Sequence, residues 1–297
     1  MSAKRCVFIG SVAFSARCLE AVLESKLETA DILCPRQAGI NSDYADLGET
    51  ARRFGREARY FERIGEETSR LKALKPDYIF VFGLSQILPP EALAAAKVGA
   101  IGSHPALLPR NRGRHPIVWA IANGLSESGL TFFWLDSGVD SGDIWMQRRC
   151  SIGPEDDAGS VYRRMSDLGA AMLREGLPEL ARGDCRRAPQ DEAQANSWRR
   201  RSTADGAIDW RMSSRRIHDL VRALRPPYPG AHCVFRGAEV KVWRTQVPEA
   251  QPDCGHIEPG KVLRRGAEAI LVKTGDGAIE LLEHGFGPDL KEGEYIL

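Results

Sequence analysis

The stretch Gly99-Ala-Ile-Gly-Ser-His104-Pro-Ala-Leu-Leu-Pro-Arg-Asn-Arg-Gly113-Arg114 decides the reading, together with Leu130-Thr-Phe-Phe-Trp-Leu-Asp136-Ser-Gly-Val-Asp140-Ser-Gly-Asp143. Each is an apolar run that ends in a polar cluster, the first at Ser103-His104 and the second at Asp136 to Asp143. Such runs predict buried strands. If both are parallel strands of an open α/β sheet, their C-terminal ends share one rim, where such sheets bind ligands. His104 and Asp140 would then meet across that rim. An imidazole beside a carboxylate is the smallest pair that moves a proton near neutral pH. The residues alone leave a second reading open: a His-Pro at a strand end can be a satisfied structural histidine, and aspartates beside glycine commonly make turns.

Outward from this stretch, strands alternate with helices. Arg5 to Gly10 reads as a buried strand and Phe14 to Glu24 as the helix after it. Gly10-Ser-Val-Ala-Phe-Ser lacks G-x-G-x-x-G, so the dinucleotide fingerprint is absent. Asp31 to Cys34 is a short strand, 35–56 a loop with a short helix, Ile64 to Leu74 a helix, and Asp77 to Gly83 a strand. A helix opened by Pro89-Pro90 and a strand from Val98 to Ile101 follow. This order predicts an α/β fold, a Rossmann-like, mostly parallel sheet with helices on both faces. Pro116 to Asn123 is a helix, and Leu130 to Leu135 and Ile144 to Arg148 are strands. Asp157 to Arg182 is a long helix whose Val161, Met165, Leu168 and Met172 share one core-facing side. The pattern lapses over 183–207, and Met212 to Leu224 is a last helix, stopped by Arg225-Pro-Pro-Tyr-Pro-Gly230. Five short strand-like runs with glycine turns then predict a small OB-like β-barrel. The expected division is an N-terminal catalytic domain over 1–185, a linker over 186–207 and a barrel domain over 208–297.

Composition narrows the function classes. The 297 residues are 43% hydrophobic and 27% charged, which is ordinary for a globular chain. A formal net charge of +1 gives no global field to attract polyanions, so no specific nucleic acid is expected as a partner. The seven cysteines are scattered with no C-x-x-C pair, which argues against a disulfide framework or a metal site and for a reducing compartment. The N-terminus runs straight into a strand, leaving no room for a signal peptide. The most apolar run, Tyr78 to Leu84, is too short to span a bilayer. A cytoplasmic protein without a membrane partner is expected.

Ser103-His-Pro-Ala-Leu-Leu-Pro-Arg-Asn-Arg-Gly-Arg114, followed by Asp136-Ser-Gly-Val-Asp-Ser-Gly-Asp-Ile144, resembles the 10-formyltetrahydrofolate-dependent formyltransferase family. That family pairs a histidine, in an Asn-x-His-x-Ser-Leu-Leu-Pro segment, with an aspartate at the separation His104 and Asp140 have here. Asp209-Trp210 and Leu220-Val-Arg-Ala-Leu-Arg-Pro-Pro-Tyr-Pro-Gly-Ala231 resemble the approach to the family's C-terminal barrel, so the likeness covers essentially the whole chain. It implies transfer of a formyl group from 10-formyltetrahydrofolate to a primary amine, without a metal. His104 would take the amine's proton and Asp140 would stabilise the imidazolium. The pterin would lie between Gln86-Ile87-Leu88 and the loop of Asp136, Ser137, Gly138, Val139 and Asp140.

One position departs from the family pattern. The asparagine whose amide would donate to the oxyanion is Gly102 here. Losing such a donor typically costs ~3–4 kcal/mol in barrier. Ser103, Asn111 or a water on the Gly102 N–H are the candidate substitutes. Lacking a Cβ, Gly102 is expected to leave space into which an asparagine would fit and lower the barrier, unless the glycine instead serves a bulkier substrate or a positive φ, in which case an asparagine would clash. The departure keeps alternatives open: a catalytically impaired folate-binding regulatory protein, or a formyl-folate hydrolase. For the amine, resemblance implies that tRNA formyltransferases carry a basic N-terminal insertion, whereas Cys34 to Glu49 holds one arginine and three acids. The basic run Arg199 to Arg201 reads as a solvated linker. Arg112-Gly-Arg114-His-Pro is similar to the amino-sugar enzymes, where the second arginine touches a nucleotide phosphate. A nucleotide-linked amino sugar is therefore the expected substrate and methionyl-tRNA the alternative; a homodimer is left open.

Overall fold

Alternating side chains along the first strands give the sheet two apolar faces, and each face acquires its own core. The computed structural model describes residues 3–36 and 43–297. These form two compact units, Met1–Pro116 with Ser128–Cys150 and Tyr162–Trp198, and Ile117–Glu127 with Ser151–Val161 and Arg199–Leu297.

The strands of the first unit are β1 (Arg5–Gly10), β2 (Glu28–Pro35), β3 (Arg59–Phe61), β4 (Tyr78–Phe82), β5 (Gly99–His104), the two-residue β6 (Arg112–Gly113), β7 (Glu127–Trp134), β8 (Ile144–Ser151) and the two-residue β9 (Ser197–Trp198). The main sheet runs β3-β2-β1-β4-β5-β7-β8, and β6 pairs separately with β9. Cys6 and Phe8 of β1 and Tyr78, Phe80 and Phe82 of β4 face helix α1 (Ala13–Leu23) through Cys18 and Leu19, and the long C-terminal helix of the unit through Met172, Leu173 and Leu177. The intervening Val7, Ile9 and Ile79 face the other way, into a core with Ile64, Leu71, Leu88 and Ala92. This is the two-residue period of a strand buried on both sides. Helix α2 (Leu47–Arg53) is capped by Asp46, whose carboxylate accepts from the Gly48 N–H at 2.8 Å. The segment expected as one helix over 64–74 is a 3-10 turn, Ile64–Glu67, leading into α3 (Thr68–Leu74). The remaining helices are α4 (Pro90–Leu93), α5 (Pro116–Ala122), α6 (Ala158–Arg182) and α7 (Ser214–Ala223).

Two features correct the sequence reading. Strands β3-β2-β1-β4-β5 are parallel, but β7 is antiparallel to β5, with Ile101 opposite Trp134 and His104 opposite Thr131. The sheet is therefore mixed, and the ends of β5 and β7 do not share a rim. The reason is that apolar runs encode burial and not direction. Second, 186–198 is an ordered strap on this unit. Ala188 exchanges backbone hydrogen bonds with Ile144, the Arg187 guanidinium lies 3.9 Å from the Trp134 ring centroid, and β9 pairs with β6. Of the acidic segment 34–49, residues 37–42 lie outside the described residues.

The second unit holds the five expected strands, β10 (Ala231–Phe235), β11 (Ala238–Gln246), β12 (Val262–Arg265), β13 (Ile270–Lys273) and β14 (Ala278–His284), in the antiparallel order β10-β11-β14-β13-β12. The chain end bridges the two edges. Val234 and Leu297 exchange backbone hydrogen bonds at 2.6 and 2.8 Å, while Ile296 donates to Gly260 and Val262 to Glu294 at 2.9 and 2.8 Å. The Arg199–Arg201 run differs from the solvated linker expected of it: Arg199 pairs with Asp205, and the guanidinium groups of Arg199 and Arg201 lie 5.3 and 4.6 Å from the Trp119 ring centroid. No helix among the described residues is long and apolar enough to cross a membrane.

Candidate active site

His104 is the last residue of β5 and is 4% exposed. Beyond it the chain turns back, and Asn111 adopts a left-handed φ of 63° that aims its carbonyl at the His104 Nε2, 2.7 Å away. A carbonyl only accepts, so Nε2 carries the proton and donates. That leaves Nδ1 facing the Asp140 Oδ2 at 3.5 Å. Asp140 has a left-handed φ of 53°, a conformation that aspartate tolerates better than most residues. Its Oδ2 accepts from the Gly113 N–H at 2.9 Å, and its Oδ1 has no hydrogen-bond partner among the described residues.

Since β7 runs antiparallel to β5, Asp140 reaches His104 by a different route from the one expected. The loop after Trp134 folds back along β5 by the length that separates Ile101 from His104. Its own contacts hold its shape. Asp136 Oδ1 accepts from the Gly138 N–H and the Ser141 hydroxyl, both at 2.9 Å. Gly142 passes so close to the Trp134 carbonyl that a Cβ would stand 1.8 Å from the oxygen.

The other expected site residues separate into exposed and engaged groups. Ile87 is 83% and Val139 68% exposed, two large aliphatic side chains presented by the two loops assigned to the pterin. Such apolar surface suits a flat heteroaromatic ring. Gln86, however, uses its amide to tie the chain to the turn before α3: its Oε1 accepts from the Ile64 N–H and its Nε2 donates to the Glu62 carbonyl, both at 2.8 Å. Leu88 belongs to the core. Ser137 is exposed. Ser103 alternates with Gly102 and His104 along the strand, so its side chain leaves by the opposite face. Asn111 Oδ1 accepts from Asn196 Nδ2 at 3.2 Å, while its own Nδ2 has no partner among the described residues. Arg114 is exposed; its N–H donates to the Trp198 carbonyl at 3.1 Å, and its guanidinium has no partner among the described residues.

Gly102 corrects an expectation. The space a side chain would need is filled: a Cβ there would lie 2.6 Å from Leu135 Cδ2, 3.2 Å from its Cγ and 3.4 Å from Phe133 Cε1.

Three residues around the site escaped the sequence reading. Arg112 is 8% exposed and pairs with Glu192 at 2.6 Å. That hydrogen bond, with the negative charge of Asp140 and Asp136 adding to it, raises the Arg112 pKa and holds Glu192 below the usual carboxylate range. Gln190 and Asn196 sit in the polar segment read as linker. Among the described residues no cluster of three or more His, Cys, Asp or Glu is arranged to hold a metal ion.

Known proteins match this chain over most of its length. The formyl transferase family model matches residues 21–177, and that of the formyl transferase C-terminal domain matches 201–288. The chain is 36% identical over 286 residues to a methionyl-tRNA formyltransferase of Solibacter usitatus, covering 94% of this chain and 90% of that one. It is 37% identical over 221 residues to the methionyl-tRNA formyltransferase of Geobacter metallireducens, covering 74% and 69%. Among solved structures, the fold matches an N-formyltransferase from Helicobacter canadensis in complex with folinic acid and dTDP-3-aminofucose, with a TM-score of 0.70 at 18% identity over 95% of this chain and 99% of that one. HypX from Aquifex aeolicus in complex with tetrahydrofolic acid matches with a TM-score of 0.67 at 22% identity, and there the chain covers 94% of its own length and 44% of the other. The chain belongs to the formyltransferase family, whose members are N-formyltransferases that draw on formyl-tetrahydrofolate.

Proposed function

We propose that this chain moves a formyl group from 10-formyltetrahydrofolate to the primary amine of a nucleotide-linked amino sugar. The observation that carries the reading is the unpartnered, exposed guanidinium of Arg114, next in sequence to the Gly113 N–H that holds Asp140. A free guanidinium on the residue that follows the one holding Asp140 suits a substrate that carries phosphate near its amine. The charge balance supports a small substrate. Residues 199–297 carry sixteen Lys and Arg against fourteen Asp and Glu, and two arginines of the one basic run are engaged with Trp119 and Asp205. Binding a polyanion needs a surplus of free cations.

When bound, the folate supplies an electrophilic formyl carbon. Ile87 and Val139 offer it aliphatic surface. With Nε2–H anchored on the Asn111 carbonyl, Nδ1 of His104 is the nitrogen left to take the amine's proton, and Asp140 stands beside it to balance the imidazolium. The unpartnered Asp140 Oδ1 can accept the amine N–H and orient its lone pair. Asn111 Nδ2 is the remaining amide donor for negative charge growing on the formyl oxygen.

The methionyl-tRNA formyltransferases among the relatives favour a second reading, in which the amine is that of a tRNA-borne methionine. Formyl transfer to a panel of nucleotide-linked amino sugars and to methionyl-tRNA, run side by side, separates the two. We expect turnover with an amino sugar and a loss of at least 10-fold in kcat/KM, mostly in KM, for Arg114→Ala. Turnover with methionyl-tRNA and none with the sugars would overturn the proposal. Folate binding without transfer to any amine would point to the impaired folate-binding protein.

A further inference from the structure

Both groups that touch His104 are held from one side by the strap. Gln190 Nε2 donates to two carbonyls of the Asp140 loop, that of Asp140 itself at 2.8 Å and that of Gly142 at 2.7 Å. Its Oε1 accepts from Arg112 Nη2 at 2.8 Å and Nε at 3.2 Å. Arg112 in turn meets Glu192 with two nitrogens, at 2.6 and 2.9 Å. A few residues on, Asn196 Oδ1 accepts from the Asn111 N–H at 2.8 Å and its carbonyl from the Arg112 N–H at 3.0 Å. Trp198 pairs with Gly113, where a Cβ would lie 2.3 Å from the Trp198 oxygen. The strap therefore fixes the carbonyl that anchors Nε2, the N–H that holds Asp140 Oδ2, and the backbone of Asp140.

We propose that residues 187–198 are a positioning element for proton transfer, with Gln190 as its central positioning residue. The proposal rests on the reading of His104 and Asp140 as the proton-transfer pair. Asn111 and Asp140 both have left-handed backbones that an isolated chain would populate little, so each needs outside contacts to stay in place. Gln190 supplies them at Asp140, bracketing the turn with two donated hydrogen bonds. Its amide also connects that turn to the Arg112 side chain, on the residue after Asn111. This link stands beside the direct hydrogen bond from the Gly113 N–H to Asp140 Oδ2, and together they set the two halves of the site relative to each other. The second shell of a site commonly sets its working geometry in this way. Gln190 bonds to the Asp140 loop and to Arg112, whereas the strap meets the Arg114 backbone through the Trp198 carbonyl, so Gln190 is expected to act on the chemical step rather than on binding.

Gln190→Glu tests this. It keeps the size of the side chain and the acceptor that faces Arg112, but replaces the donor that faces two carbonyls with an oxygen. We expect kcat to fall at least 10-fold, with the KM values for amine and folate changed less than 3-fold. The readout that separates positioning from plain stability is the Asp140→Asn background. There Asp140 no longer serves the proton transfer, so Gln190→Glu should have no further effect on residual single-turnover rate, a non-additive pair. A folded Gln190→Glu enzyme with kcat within 2-fold of the parent, or the same fold-loss in both backgrounds, would overturn the proposal. If Gln190→Glu fails to fold, Gln190→Met, which removes the donor without adding charge, carries the same two criteria. Near-normal kcat for Asp140→Asn alone would instead show that the proton-transfer reading is wrong, so the two failures are distinguishable.

Discussion

At Gly102 the family asparagine is missing and the sheet has closed over the gap. Leu135 fills the volume where a Cβ would go, and Phe133 stands behind it. Gly102→Asn therefore cannot restore an oxyanion donor without first displacing Leu135. Leu135 is half-buried and its Cδ2 is the tip of a flexible side chain, so displacement is costly but not forbidden. Overpacking of this kind typically costs about 1–3 kcal/mol. We expect Gly102→Asn to lose stability in that range without a gain in kcat, and Gly102→Asn/Leu135→Ala to recover part of the loss. Denaturant unfolding and steady-state rates on both variants check this; a single variant as stable as the parent, with a higher kcat, would show that the crowding is not real. At this scale the sequence was legible where a motif fixes side-chain identity. His104 and Asp140 could be named from their motif, and they do come together. The part played by Asn111 could not, because it rests on a carbonyl whose aim depends on a left-handed backbone. Gln190 could not be named either, since a glutamine in a polar segment carries no mark of the carbonyls, fifty positions away, that it serves.

Among the elements, the C-terminal tail has a structural part out of proportion to its length. An antiparallel sheet of five strands has two edges, and unpaired edges invite association with other chains. Here Val234 of β10, Val262 of β12 and Gly260 just before it bond to residues Glu294 to Leu297 instead, and Ile296 is 1% exposed. Each net backbone hydrogen bond contributes about 1 kcal/mol and burial of an isoleucine about 2–3 kcal/mol. Deleting residues 294–297, which removes four such hydrogen bonds and the isoleucine, is expected to destabilise the second unit by roughly 6–7 kcal/mol and to promote self-association, while Ile296→Ala alone costs about 2–4 kcal/mol. Hydrogen exchange in β10 and β12 and sedimentation of the truncated protein check this; unchanged protection of those strands would sink it. The elements also show where sequence patterns stop. Most strands and helices lie near their expected places because hydrophobic period and prolines fix them. The three-residue β3 was missed for want of length, and the direction of β7 because burial on both faces looks alike in either sense. The order of the strap comes from long-range hydrogen bonds that no local period records. The last two omissions bear on one site, since the antiparallel β7 sends its loop back along β5 and the strap then holds that loop.

Over the whole molecule, the response to acid is expected to differ between the two units. His218 and His284, both in the second unit, have pKa values below the usual histidine range. For His218 the cause is first burial and then the nearby Arg222 and Arg215, partly offset by Asp219 and Glu155; from β11 it faces the Thr245 hydroxyl at 3.1 Å. For His284 the cause is burial and then Arg265. A lowered folded-state pKa means that, as pH falls through the unfolded value near 6.5, the unfolded chain takes up protons that the fold refuses. Stability is then fully present above about pH 6.5 and declines below it, until the folded groups also titrate. The carboxylates act later. Asp205, held low by the Arg199 hydrogen bond, Asp209, lowered to about 2 by Arg211, and Asp276, kept low against its burial by the Ser214 N–H, favour the fold above about pH 4 and lose that effect as pH falls further. In the first unit Asp77, kept low against its burial by the Arg5 N–H and Lys4, belongs to this later class. The second unit should therefore loosen first, between about pH 6.5 and 5, and the first unit only below about pH 4. Hydrogen exchange read separately on β1 to β5 and on β10 to β14 at pH 7.5, 6 and 5 resolves this order. His218→Gln, which can still accept from the Thr245 hydroxyl but takes no proton, should flatten the loss in the second unit across that window. Equal protection of both units down to pH 5, or an unchanged slope in the His218→Gln protein, would mean that burial of these histidines does not govern the acid response.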